Sequence, residues 1–177
     1  MPLPLGHTAI GLLTHEATDA QPKTGERLKW FFIITVLANL PDVDVIVGLI
    51  VGGNGDLFHR GPTHSLLFAL LAGGLISFLS RFWRFLPRIR FRTASALIFS
   101  HVLADILFTT SPVSLLWPFE LNWSVGYSNL TDVVHSVLFE SVRDLGLVVA
   151  SLLLIMAIRL VRDRRRTLSR FKTLVRS

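Results

Sequence analysis

Apolar runs broken by short polar punctuation organise this chain. Five such segments can be drawn, at roughly Leu5–Thr18, Leu28–Leu40, His64–Ser80, Thr93–Thr109 and Leu145–Val161. Each reads as a helix. The first is short and interrupted by His7 and His15, and the second is stopped by Pro41, which cannot continue a helix. A full membrane crossing needs about 20 apolar residues, with a range near 17–25. The third and fifth segments approach that length, while the first two are expected to be half-submerged or packed against the others. The fifth, "LGLVVASLLLIMAIRLV", is apolar all round, which argues for lipid contact. A further stretch, Val45–Val51 "VIVGLIV", fits either an interfacial helix or a buried strand, because periodicity alone does not separate them. The glycines of "GGNGD", Gly52–Asp56, mark a loop. Neither an internal repeat nor paired strands with turn signals stand out. The expected fold class is therefore all-α, an integral membrane helical bundle of about five apolar helices. A soluble helical bundle is the alternative.

Composition strengthens the membrane reading. Hydrophobic residues make up 51% of the 177 positions and charged residues only 17%, against roughly 25% charged in soluble domains. The mean hydropathy is +0.56. One domain is expected, at residues 1–161, followed by a basic tail at 162–177. The N-terminal "MPLPLGHTAIGLL" has no positive region before Lys23 and makes a poor secretory signal. The chain has no cysteine, which removes disulfides, thiol nucleophiles and thiolate zinc sites together. Any metal must be held by histidine nitrogen and carboxylate oxygen.

The net charge of +6 matters less than its distribution. Lys23, Arg27 and Lys29 form one basic cluster, Arg81 to Arg92 a second, and Arg159 to Arg176 a third. Such a tail can bind nucleic acid through phosphates, but in so apolar a chain Lys and Arg are better read as marking cytoplasmic loops. No nucleic-acid partner is expected, and the bilayer itself is the expected one. With all three clusters on the cytoplasmic side the topology closes without conflict. The N-terminus lies outside and the C-terminus inside a bacterial or archaeal inner membrane.

That topology gathers the ionisable residues. His7, Asp42, Asp44, His59, Arg60 and His64 all fall at the outer ends of their segments, and His101 and Asp105 in the middle and outer half of the fourth. Taken singly, each has a bland reading. Asp42 and Asp44 in "NLPDVDV" suit a helix stop and a solvated turn. His59 and His64 flank "RGPT", where Pro62 breaks the chain and Thr63 suits an N-cap. His101 and Asp105 stand four apart, on one helix face. There they can share a metal, or the Asp can orient the imidazole. Inside a membrane such groups are expensive and functional by default. Together they make four histidines and three aspartates at one depth, an N/O ligand set suited to zinc. Seven ligands exceed one tetrahedral site, so two or three ions with bridging carboxylates are expected. Paired metals suit phosphoryl displacement. Arg60 can hold a phosphate oxygen as a fork donor, or is a solvated interface arginine. His15, His135 and Glu140 are left outside this core site, His15 and Glu16 being expected at the interface.

The motifs "GHTAIG", "LPDVD", "FHRGPTHSLL" and "SHVLADILFTT", in this order and spacing, resemble the YdjM-like membrane-bound metal-dependent hydrolases. That family also carries the label LexA-binding, inner-membrane-associated hydrolase, although nothing in this sequence reads as a LexA-binding surface. The resemblance covers roughly residues 3–125, with "HRGPTHS" its most specific piece. The family is in turn distantly similar to the zinc-dependent phospholipase C and P1 nuclease group, all-helical phosphodiesterases with a three-zinc cluster. The resemblance implies a phospholipase C/P1 nuclease-like core and metal ligation by His7, His64, His101 and Asp105. It implies a ligand or base role for Asp42 and Asp44. His59 belongs to the motif without an assigned role. This chain departs from the soluble enzymes in lacking a second histidine–carboxylate pair at four-residue spacing late in the sequence, so two metals are the central expectation.

The function expected is a membrane-bound hydrolase that cleaves a phosphoester of a lipid-like substrate with metal-activated water. Asp42, Asp44 and Arg60 are its candidate catalytic residues. Ser111–Asn129, with Trp117, Trp123 and Tyr127, is expected to overlie the site as an interfacial belt. The alternative is a non-enzymatic membrane protein with a structural metal site or an ion or proton pathway. A DNA-associated regulator would rest on the basic tail alone.

Overall fold

The structure is a computed structural model that describes residues 4–18, 24–83, 85–108, 111–119 and 143–174. Six helices account for most of them: α1 Pro4–Ala17, α2 Arg27–Ala38, α3 Val43–Gly52, α4 Leu66–Leu79, α5 Phe91–Phe108 and α6 Arg143–Leu174. No extended strand is present among the described residues. The stretch Val45–Val51 is thus helical, within α3. Asp44 lies in its first turn, where the helix dipole favours a negative charge.

Helix lengths redistribute the expected membrane crossings. α1 and α4 have 14 residues each, about 21 Å at 1.5 Å per residue, which falls short of a hydrocarbon core of about 30 Å. Among the described residues, two helices are long and apolar enough to cross: α5, and Leu145–Ser169 within α6. The pair α2 and α3, bent by 53° at its break, makes a third if it is one broken span. The third sequence segment is therefore shorter than its apolar run suggested, and the fourth takes its place. The reason lies at the start of α4. Ser65, not Thr63, is its N-cap, and its hydroxyl accepts from Phe68 N at 3.0 Å. His64 and Thr63 are withdrawn from the helix into the 3-10 turn Pro62–His64. α6 runs without a break through position 161, so the basic residues that follow continue the same helix.

The bundle is assembled through small residues. α4 buries Ala69, Gly73 and Ser77, one small residue per turn, a pattern that lets membrane helices approach closely. The approach is tight: a Cβ on Gly73 would fall 2.2 Å from Ser95 Oγ and 2.7 Å from Ser95 N on α5. Around this contact Trp30, Ile34 and Leu37 of α2 pack with Ala94, Leu97 and Ile98 of α5 and with Ile89. α6 buries Leu147, Ser151 and Ile155, a single stripe at four-residue spacing. Leu152, Leu153, Leu154 and Met156 beside that stripe stay exposed, as expected of a helix clad in lipid.

The two ends of α1 are both polar and both buried. His7 sits in its first turns, and His15 and Glu16 near its last. At 1.5 Å per residue they are about 13 Å apart along the axis. Glu16, expected at the interface, is buried within the protein. Arg159 donates to its Oε2 through Nε (3.1 Å) and Nη2 (2.8 Å), and Arg162 Nη1 to its Oε1 (2.7 Å). A buried carboxylate needs such partners to stay ionised.

Candidate metal centre

The break between α2 and α3 builds half of the site. Pro41 has no N–H with which to continue the helix ladder, so α2 ends at Ala38. Asn39 Nδ2 donates to Thr35 O (2.8 Å) and to Thr8 Oγ1 on α1 (3.1 Å), closing the helix end and tying it to α1. The chain turns through the 3-10 segment Leu40–Asp42, which sets Asp42 and Asp44 at the head of α3. After α3 the chain doubles back. Gly48 permits this, because a Cβ there would lie 2.6 Å from Asn54 O. The returning loop carries His59 to Asp44.

The other half comes from α1, α5 and the turn before α4. His7, His64, His101 and Asp105 have no solvent exposure, and Asp44 has 4%. All seven expected ligands come together in three overlapping groups. These are His7, His101 and Asp105; Asp42, His64 and His101; and Asp44, His59 and His64, each with one ligand atom per residue within 4.8 Å of the others. His64 and His101 are shared between groups, so the set is one continuous cluster. The His7 and His101 rings stack with centroids 3.7 Å apart.

Proton positions in the central group follow from its partners. His101 Nδ1 lies 2.7 Å from Ala38 O. A carbonyl only accepts, so Nδ1 carries the hydrogen and a neutral His101 presents a bare Nε2 to the site. His64 Nδ1 lies 3.1 Å from Asp44 Oδ2, a carboxylate oxygen, which by the same logic leaves a neutral His64 with a bare Nε2. The two Nε2 atoms face each other at 3.2 Å. Asp42 Oδ1 completes the triangle, 3.5 Å from His64 Nε2 and 3.3 Å from His101 Nε2. Three lone pairs aimed at one another need a cation between them. Bonds of about 2.0–2.1 Å to a tetrahedral metal place ligand atoms about 3.3–3.4 Å apart, so this triangle has the dimensions a metal would use.

A proton is the competing cation. Burial opposes a charge on His64, but the carboxylates of Asp42 and Asp44 outweigh it, and the imidazole is pushed up to about 9 in the absence of metal. Asp105 extends the cluster, with Oδ1 3.5 Å from His7 Nε2 and Oδ2 3.6 Å from His64 Nε2. Asp44 has a different character. Its Oδ1 meets His59 Nδ1 at 3.2 Å, while its Oδ2 accepts from Thr63 Oγ1 and faces His64. It orients two imidazoles from behind.

Arg60 is drawn inward, 11% exposed at the side chain, with Nε 3.6 Å from Asp105 Oδ2. Its φ of 65° lies in the left-handed region, which costs a non-glycine residue about 1–2 kcal/mol. Its carbonyl accepts from Ser114 N at 3.2 Å, and Leu115 O accepts from Leu66 N at 2.9 Å. The start of the segment expected to overlie the site therefore does lie against the "HRGPTHS" turn. Trp123, Tyr127, His135 and Glu140 lie outside the described residues.

Sequence reasoning missed Thr63 as the partner of Asp44, and the Ala38 carbonyl that fixes the His101 tautomer. Thr63 had a local role to suggest, as a cap, that hid the long-range one. A backbone carbonyl has no sequence signal except the proline three residues on.

Comparison with known proteins places the chain among inner membrane proteins. The profile described as YdjM inner membrane protein matches residues 1–166. The inner membrane protein YbcI of Escherichia coli (strain K12) is 42% identical over 88 residues, 47% of this chain and 50% of the relative. The chain thus spans about half the length of that curated relative. No solved structure matches. With a profile match over nearly its whole length, this chain belongs to the YdjM inner membrane protein family.

Proposed function

We propose that this membrane protein is a metal-dependent hydrolase that cleaves a phosphoester of a lipid-like substrate. The observation that carries the reading is the triangle of Asp42 Oδ1, His64 Nε2 and His101 Nε2, with sides of 3.2–3.5 Å and both imidazoles oriented from behind. His7 and Asp105 would hold a second ion beside it, with His101 Nε2 kept for the first. Bound there, divalent metal, of which zinc best suits the N/O donor set, supplies a Lewis acid and a nucleophilic hydroxide at neutral pH.

The chain's own residues divide the remaining work. Asp42 is 21% exposed at its side chain, against 0–6% for His7, His59, His64, His101, Asp44 and Asp105. It is the point where the cluster opens, and so the residue placed to orient or deprotonate water. Asp44, committed to His59, Thr63 and His64, positions. Arg60 turns its guanidinium to the phosphate. Exposed Val43, Phe58 and Leu67 flank the ligand-bearing turns, which suits a substrate with an apolar body. The basic ends of α2, α5 and α6 face the cytoplasm by the positive-inside rule, which puts the site toward the outer face of the inner membrane.

Turnover of a generic phosphodiester such as bis(p-nitrophenyl) phosphate tests this. Hydrolysis that requires added divalent metal, and is lost in His101→Ala, supports the enzyme. Stoichiometric metal without turnover of any phosphoester supports a second reading, a structural metal site. The observation favouring that reading is depth: His7, His64, His101 and Asp105 are wholly buried, and structural metal sites are closed. Metal-independent proton flux in vesicles would instead support a pathway through the His/Asp cluster.

A further inference from the structure

A second polar site occupies the opposite end of α1. There a cavity of about 510 Å³ opens between α1, α2 and α6. Its walls include Ile34, Leu152 and Ile155, and its charged lining comprises Arg27, Arg159 and Arg162 with Glu16 and Asp163. Three guanidinium groups against two carboxylates leave one net positive charge, which a single phosphodiester anion balances. His15, also in the lining, is 6% exposed, and its Nε2 has no hydrogen-bond partner among the described residues. Its ring leans on Trp30, with centroids 4.7 Å apart. A buried nitrogen without a partner is destabilising, so an acceptor oxygen beside it would be stabilising.

We propose that this cavity is a binding site for an anionic phospholipid, with the phosphate between Arg27, Arg162 and His15 and an acyl chain along Ile34, Leu152 and Ile155. Two features favour a lipid over free phosphate. The apolar wall shares one cavity with the basic lining, and Leu152 and Ile155 of that wall belong to α6, which carries the longest apolar span among the described residues. Basic pockets between membrane helices take lipid headgroups by the same pairing of guanidinium with phosphate. Glu16 does not oppose this. Its carboxylate is already engaged by Arg159 and Arg162, and it holds those arginines at the cavity while they span α1 and α6. The lipid would pin α6 to the α1–α2 pair at the end remote from the metal centre.

The test uses the full chain in nanodiscs of phosphatidylcholine with or without phosphatidylglycerol, released into detergent for native mass spectrometry. Wild-type protein should retain phosphatidylglycerol in at least fivefold preference. Arg27→Gln removes one lining charge, and Leu152→Trp fills the wall. Both positions are exposed, so folding should survive, checked by circular dichroism melting. Each variant should lower retention fivefold or more. Arg164→Gln, an equal charge loss on α6 outside the cavity lining, should change it less than twofold. Equal loss in Arg164→Gln would overturn the site in favour of general surface charge. Full retention in Leu152→Trp would remove the acyl wall from the account. Displacement of the lipid by inorganic phosphate at millimolar concentration would make free phosphate the ligand and overturn the lipid assignment.

Discussion

His64 Nε2 and His101 Nε2 face each other at 3.2 Å across the centre of the protein, each ring held from behind by an acceptor on its Nδ1. Two imidazoles so arranged cannot both be satisfied by the other. Much of the site's chemistry follows from which cation stands between them and Asp42.

On the proposed function a metal would compete with a proton for that place, and the competition has a sign. Without metal, His64 holds its proton up to about pH 9, against an ordinary value near 6.5. Metal must displace it, so apparent metal affinity should rise with pH from about 6.5 to 9, approaching tenfold per unit where one proton is released. In the metal-free protein, His64 contributes stability that is complete below about pH 6.5 and lost as pH rises through about 9. Calorimetric metal titrations at pH 6.5, 7.5 and 8.5, with melting of the chelated protein over the same range, check both limbs. Affinity that does not change with pH would contradict the assignment.

Asp44 should tune the site without being required to fill it. Asp44→Asn removes the charge behind His59 and His64, and outer partners of this kind are worth about 10–100-fold in metal affinity. Thr63→Val, which deletes only the hydroxyl on Asp44, should cost less. Dissociation constants for both variants beside Asp42→Asn test the ranking. If Asp44→Asn abolishes binding as completely as Asp42→Asn, Asp44 is a direct ligand.

Arg60 separates backbone from side chain. Arg60→Gly loses the guanidinium but accepts a φ of 65° without strain, whereas Arg60→Ala keeps the strain. The glycine variant should be more stable than the alanine variant by ~1 kcal/mol, measured by thermal melting. Both should lose phosphodiester turnover while keeping metal. Unchanged turnover in both would free Arg60 of its phosphate role.

The neighbouring glycines of α4 should behave oppositely. A Cβ on Gly73 meets the Ser95 backbone at 2.7 Å, whereas one on Gly74 meets Phe91 at an ordinary 3.7 Å. Gly74→Ala should be neutral or stabilising, since Ala gains up to ~1 kcal/mol over Gly within a helix. Gly73→Ala should destabilise by ~1–3 kcal/mol through overpacking. Equal melting temperatures for the two variants would show that α4 and α5 do not approach as described.

The helices and the residues of the cluster were legible in the sequence for different reasons. Apolar runs fix where helices lie, and Pro41 fixes where α2 stops, because both are local. The cluster was legible because His7, Asp42, Asp44, His59, His64, His101 and Asp105 are costly in so apolar a chain, and a single assignment of sides put them at one depth. Local rules failed where a tertiary partner outbid them. Thr63 is a good N-cap by type, but Asp44 holds it, and Ser65 caps α4 instead. His15 and Glu16 read as interfacial because they lie at the inner end of the first apolar segment. The burial of Glu16 depends on Arg159 and Arg162, more than 140 residues away. Which apolar runs reach full span length likewise depends on where site residues pull the chain out of the helix.

The most direct measurement of the central claim is metal content. Protein purified without chelator, then stripped and reconstituted with zinc or manganese, would be analysed by inductively coupled plasma mass spectrometry, alongside His101→Ala and Asp42→Asn. Wild-type protein should carry at least one divalent ion per chain, and both variants should lose most of it with helical content retained. Wild-type protein that stays metal-free after reconstitution, or variants that bind as much as wild type, would contradict it.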